Sequence, residues 1–157
     1  MPNHPAEPTP ASPSELGPSP MDPVSVLYVE DDEVDILLMR RAWQRTGMAN
    51  PLHVVVDGRE AQAYLSGAAP YADRAVHPMP GLVLLDLKLP RVTGLELLQW
   101  IREQPPIHAL RVVILSSSSL PLDIRRATAL GADAYWTKPW DPRELEEMVG
   151  TLKRFWL

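Results

Sequence analysis

Residues 82–90 read LVLLDLKLP, an apolar run that carries one acid and closes on a proline. A short continuous apolar stretch bounded by glycine and proline predicts a strand buried on both faces. Asp86 then falls at the carboxyl end of that strand. Burying a carboxylate is costly unless it is paired, metal-bound or neutralised. Asp86 is therefore either a benign strand-end charge or a residue placed for chemistry.

Working outward, the same kind of run recurs along the chain. Strands are expected over 24–29 (VSVLYV), 52–56, 81–86, 111–115 and 133–138. Helical periodicity predicts helices over 33–46, 59–65, 94–104, 122–132 and 142–156. In the first helix the apolar steps run Val34, Leu37, Leu38, Arg41/Ala42 and Arg45. The Pro-rich stretch 66–80 reads as a loop. Short apolar strands alternating with helices predict an α/β, doubly wound parallel sheet of five strands and five helices, of flavodoxin-like type. Neither G-x-G-x-x-G nor G-x-x-x-x-G-K-[ST] occurs, so the dinucleotide and P-loop folds are disfavoured.

The 157 residues suit one domain, and 45% hydrophobic with 22% charged content is ordinary for a globular chain. A net charge of −5 argues against general affinity for nucleic acid or an anionic membrane. With no cysteine, thiolate catalysis, disulfides and cysteine zinc sites are excluded. No run approaches the ~18 apolar residues of a membrane span, and a cytoplasmic location is expected. Eight of the 18 prolines lie within residues 1–23, which read as a disordered arm preceding a domain over 24–157.

Ligands of doubly wound sheets bind outside the carboxyl ends of the strands. Glu30, Asp31 and Asp32 follow the first strand, Asp86 ends the third, Ser116–Ser119 follow the fourth, and Lys138–Pro139 end the fifth. Each has a bland reading: helix capping for the acids, a turn for the serines, a surface lysine. Together they place carboxylates, a hydroxyl and an ammonium at one end of one sheet. Oxygen-only ligands suit a hard ion, Mg²⁺ before zinc. A carboxylate can itself be the nucleophile and form an acyl-phosphate, with the cationic groups stabilising the transferring phosphoryl group.

The segments VLYVEDDE (26–33), LLDLKLPRVTG (84–94), VVILSSS (112–118) and GADAYWTKPW (131–140), with Asp86, Pro90 and Gly94 spaced D-x-x-x-P-x-x-x-G, resemble the receiver domain of two-component response regulators. The resemblance covers residues 24–157. It implies a CheY-like sheet of strand order 2-1-3-4-5. It further implies that Asp86 is the phosphoacceptor. Glu30, Asp31, Asp86 and the backbone carbonyl of Lys88 would hold Mg²⁺. Ser116 and Lys138 would contact the phosphoryl group, Ser116 and Tyr135 would form the switch, and Lys138–Pro139 would be a cis peptide. Asp32 and Glu33 are expected to cap the first helix. The long 66–80 loop and the ending KRFWL resemble the single-domain regulators paired with bacterial phytochrome histidine kinases.

The resemblance implies a phosphoacceptor signalling protein rather than an enzyme, capable at most of self-phosphorylation from small donors and slow autodephosphorylation. With nothing after Leu157 to bind DNA, output is expected through protein contacts or onward relay. A phosphorylation-independent interaction module is the alternative, and the intact set Glu30, Asp31, Asp86, Ser116 and Lys138 argues against it. A haloacid-dehalogenase-type phosphatase looks for a second Asp where this chain has Lys88. Trp136, Trp140, Phe155 and Trp156 are expected to be partly core and partly interface. A homodimer is expected through the fourth helix, fifth strand and fifth helix. Arg125-Arg126 and Lys153-Arg154 read as solvated helix faces.

Overall fold

The computed structural model describes residues 22–157. All but the last two residues of the expected Pro-rich arm lie outside the described residues. The elements alternate without exception: β1 (Val26–Val29), α1 (Glu33–Arg45), β2 (Leu52–Val55), α2 (Gly58–Ser66), β3 (Leu82–Leu85), α3 (Gly94–Glu103), β4 (Arg111–Ser116), α4 (Pro121–Ala129), β5 (Ala134–Thr137) and α5 (Pro142–Phe155). The five strands are all parallel, in the order β2-β1-β3-β4-β5. That is the expected architecture, with element ends displaced by at most three residues. Among the described residues no helix is long and apolar enough to cross a membrane.

Alternation along the central strands sends side chains to two separate cores. Leu27, Val29, Val83, Leu85, Val112 and Ile114 pack against α2, α3 and α4 through Ala61, Leu65, Leu97, Ile101 and Ala127. Val26, Tyr28, Leu82, Leu84, Val113 and Leu115 pack against α1 and α5 through Met39, Trp43, Leu145, Val149 and Leu152. Burying such aliphatic side chains contributes about 1.5–3 kcal/mol each, and the apolar runs of β1, β3 and β4 are explained by burial on both faces.

The apolar face of α1 differs from the expected one. Val34 and Leu37 are exposed at 63% and 57%, whereas Met39, Ala42 and Trp43 are buried. Ile36 and Leu38 are partly buried beside them. The run ILLM wraps far enough around the helix to offer two stripes. The one that ends in the large Trp43 faces the sheet, and the Trp43 indole donates to the Asn50 carbonyl at 2.7 Å.

Side chains cap the starts of α1, α2, α3 and α5, whereas α4 starts without a side-chain cap. Asp32 caps α1 by accepting from the Asp35 amide, and Glu33 lies in the first turn. Thr93 and Glu96 form a reciprocal capping box at the start of α3. The expected 66–80 loop is irregular except for Ser66, which closes α2, and Gly81 joins it rather than β3, yet the connection is well packed. Tyr71 packs tilted and His77 edge-on against Tyr64, at ring distances of 5.1 and 5.8 Å. Arg74 donates to the carbonyls of Tyr64 and Leu65 at the end of α2.

Candidate functional site

At the carboxyl ends of β1 and β3, which are adjacent at the point where strand order reverses, three carboxylates converge. Glu30, Asp31 and Asp86 each present an oxygen within 4.8 Å of the other two. Glu30 is fully buried and Asp86 is 4% exposed, while Asp31 is open to solvent. The β-sheet fixes this convergence: the Glu30 amide donates to Val55 and the Asp86 amide to Val29. The backbone after Asp86 is equally constrained. A Cβ on Gly94 would collide with the Asp86 carbonyl and lie 2.6 Å from the Leu87 Cα. Only glycine lets α3 begin that close, and the Gly94 amide donates to the Leu87 carbonyl at 2.9 Å.

Lys138 enters from the end of β5, and its amide is held by the Ser116 carbonyl at 2.8 Å. Its ammonium lies 2.6 Å from Glu30 Oε2, 2.8 Å from Asp35 Oδ2 and 3.2 Å from Asp86 Oδ2. Burial alone pushes this ammonium down. The hydrogen bonds to Asp35 and Glu30 and the charge of Asp86 outweigh it, and the group stands above its ordinary value. Burial likewise pushes the Glu30 carboxyl up, to about 7, against the lowering by its hydrogen bond to Lys138. Glu30 also accepts from the Asp32 amide at 3.1 Å and from the Tyr28 hydroxyl at 3.4 Å. Asp35 was not among the residues singled out by sequence. Its partner is 103 positions away, and no local pattern announces the pairing.

Ser116 is the fully buried last residue of β4. Its hydroxyl accepts from the Ser118 amide at 3.1 Å. Ser118 is also a junction: its hydroxyl donates to Asp123 on α4, and its carbonyl accepts from the Tyr135 hydroxyl at 2.7 Å. The expected switch pair, Ser116 and Tyr135, thus meets at one residue of the β4–α4 loop. Lys88 is exposed, and its amide sits 3.5 Å from Asp86 Oδ1. One expectation fails. The cis peptide among the described residues is Ala69–Pro70, and Lys138–Pro139 is trans. An X–Pro bond prefers trans by only about 0.5–1 kcal/mol, and here the trans form already delivers the lysine to all three carboxylates.

Over residues 26–150 the sequence matches the response regulator receiver domain. The chain belongs to that family. The probable methanogenesis regulatory protein FilR2 of Methanothrix harundinacea is 34% identical over 136 residues, 87% of this receiver and 85% of the relative. The response regulator Rcp1 of Synechocystis is 32% identical over 135 residues, 86% and 90% of the two chains. A Mn²⁺-bound form of an Rcp1 superposes on the receiver with a TM-score of 0.76. The phosphorylated cyanobacterial phytochrome response regulator RcpA superposes with a TM-score of 0.78 at 34% identity, covering 85% of this chain and 94% of that one. The receiver is therefore a response-regulator signalling domain with the fold that its strand order indicates. The all-oxygen cluster of Glu30, Asp31 and Asp86 fits a divalent cation: three carboxylates this close repel one another, and the Lys138 ammonium offsets the charge of Glu30 and Asp86 but does not pair with Asp31.

Proposed function

We propose that Asp86 accepts a phosphoryl group from the phosphohistidine of a sensor kinase, of the phytochrome-linked type suggested by the likeness to RcpA and Rcp1. The observation that carries this reading is the convergence of Glu30, Asp31 and Asp86 with the Lys138 ammonium on Asp86 Oδ2. A carboxylate oxygen of Asp86 forms the new bond to phosphorus as the phosphorus–nitrogen bond of the donor breaks. The imidazole leaves with the electron pair and becomes neutral histidine. Glu30, Asp31, Asp86 and the Lys88 carbonyl would hold Mg²⁺, which supplies charge neutralisation for the transferred group.

The chain's own residues do the rest. Lys138 offers a charge-assisted donor to a phosphoryl oxygen. The Ser116 hydroxyl supplies a neutral donor once it turns from the Ser118 amide. That turn loosens the loop that holds Tyr135 and shifts the population of surface states on α4 and β5. The same chemistry permits self-phosphorylation from small acyl phosphates and slow hydrolysis. Output passes to a protein partner. A homodimer forms through α4, β5 and α5, supported by the exposure of Leu120, Leu122, Ile124 and Phe155.

The test is incubation with acetyl phosphate and Mg²⁺ followed by intact-mass measurement. One phosphoryl group is expected on the wild-type chain and none on Asp86→Asn or in the presence of a chelator. Equal labelling of Asp86→Asn would overturn the assignment. Kinase binding indifferent to beryllofluoride would favour an interaction module instead.

A further inference from the structure

An ammonium has three N–H donors and accepts nothing. In this structure three carboxylates lie within reach of the Lys138 Nζ, enough to use all three. The longest of the contacts, 3.2 Å, is the one to Asp86. Asp35 reaches in from the first turn of α1, where the Asp32 cap holds its amide at 2.9 Å. Together with Tyr28, Leu38, Met39 and Pro139 it lines a cavity of about 30 Å³ beside Lys138. The lysine is thus drawn toward α1 as well as toward the phosphoacceptor.

We infer that Asp35 is a positioning residue that holds Lys138 in reserve and competes for its ammonium with whatever group Asp86 carries. The inference rests on the proposed role of Asp86. A phosphoryl group brings about two negative charges and three acceptor oxygens, so the loaded site demands more of Lys138 than the free one. Exposure decides which of the other two carboxylates can yield. The Asp35 side chain is 35% exposed, and water replaces the ammonium when it is released. The Glu30 side chain is 0% exposed, and solvent does not reach it to take the ammonium's place. Asp35 is the releasable partner. Its negative charge also opposes an incoming dianion directly. Asp35 therefore acts as a brake on loading and ties the state of the site to the first turn of α1.

The experiment compares the full chain with Asp35→Asn, Asp35→Ala and Asp35→Glu. The first readout is the Lys138 ammonium resonance in ¹⁵N-labelled protein without phosphodonor. The second is beryllofluoride affinity at fixed Mg²⁺. The wild-type ammonium is expected to exchange slowly with water. In Asp35→Asn and Asp35→Ala exchange speeds up and beryllofluoride binds roughly three- to tenfold tighter, while Asp35→Glu restores slow exchange. Either neutral variant serves if the other does not fold. Unchanged exchange, or unchanged or weaker beryllofluoride binding, in the neutral variants overturns the inference while leaving acetyl phosphate labelling of Asp86 intact. Failure of the wild-type chain to be labelled on Asp86 overturns the proposed function, and this inference with it.

Discussion

At the scale of single residues, the phosphoacceptor's surroundings depend on an atom that is missing. The space where a Gly94 Cβ would sit is taken by the Asp86 carbonyl and the Leu87 backbone. Backbone cannot give way as a flexible side chain can. Gly94→Ala is expected to lower stability by about 1–3 kcal/mol, read as a fall in the urea midpoint at constant slope. It should also slow acetyl phosphate labelling of Asp86, because the carboxylate rides on the displaced backbone. Gly94, Asp86, Glu30, Asp31 and Lys138 were legible in the sequence, since each sits at a strand end or at a fixed spacing from one. Asp35 was not. Its acid is one of several in the stretch EDDEVD, and what singles it out is a lysine brought in by the last strand.

At the scale of elements, β1, β3 and β4 were the clearest reading, because burial on both faces leaves a short apolar run, whereas the half-buried edge strands β2 and β5 were read from their place in the alternation. The first helix was less legible: four consecutive apolar residues fit two faces, and only the presence of the sheet chooses between them. The 66–80 stretch was read as a loop, and all of it but Ser66 is irregular, but its packing could not be read. It depends on rings from β2, α2 and the loop itself that meet only in the fold, His53 and Tyr64 at 5.9 Å and Tyr71 and His77 at 5.0 Å. Burial, with a further contribution from His77, holds the His53 imidazole below its ordinary value of 6.5. The protonated form is thus favoured more in the unfolded chain than in the folded one. Stability from this group is present above the ordinary value and is lost as pH falls through the lower folded value. The thermal midpoint is expected to fall as the pH is lowered from neutral into the acid range, and His53→Gln is expected to flatten that part of the profile.

At the scale of the whole molecule, two cores share one sheet, and the aromatic residues near the carboxyl end divide between packing and surface. Trp136 and Trp156 meet edge to face at 6.4 Å in the α1/α5 layer, and the Arg111 guanidinium lies over the Trp156 ring. Phe155, at 72% exposure, faces outward. On the opposite side of β5, α4 leaves Leu120, Leu122 and Ile124 accessible. An isologous dimer on this face needs to bury roughly 800 Å² per subunit to be specific. Sedimentation at tens of micromolar is expected to give twice the chain mass, and Leu122→Glu is expected to return it to that of one chain. A single-chain mass for the unaltered protein would remove the dimer from the account.

Trp140 has a consequence of a different kind. It is 96% exposed and stands two positions beyond Lys138, while Trp43 is buried and Trp100, Trp136 and Trp156 are partly so. Its indole is the most solvated in the described chain, so its emission lies furthest to the red and is the first to be quenched by iodide. The protein therefore carries its own optical probe on the segment that delivers the lysine to the phosphoacceptor, and a shift of that red-edge emission on adding Mg²⁺ and beryllofluoride is the expected sign that loading moves this segment.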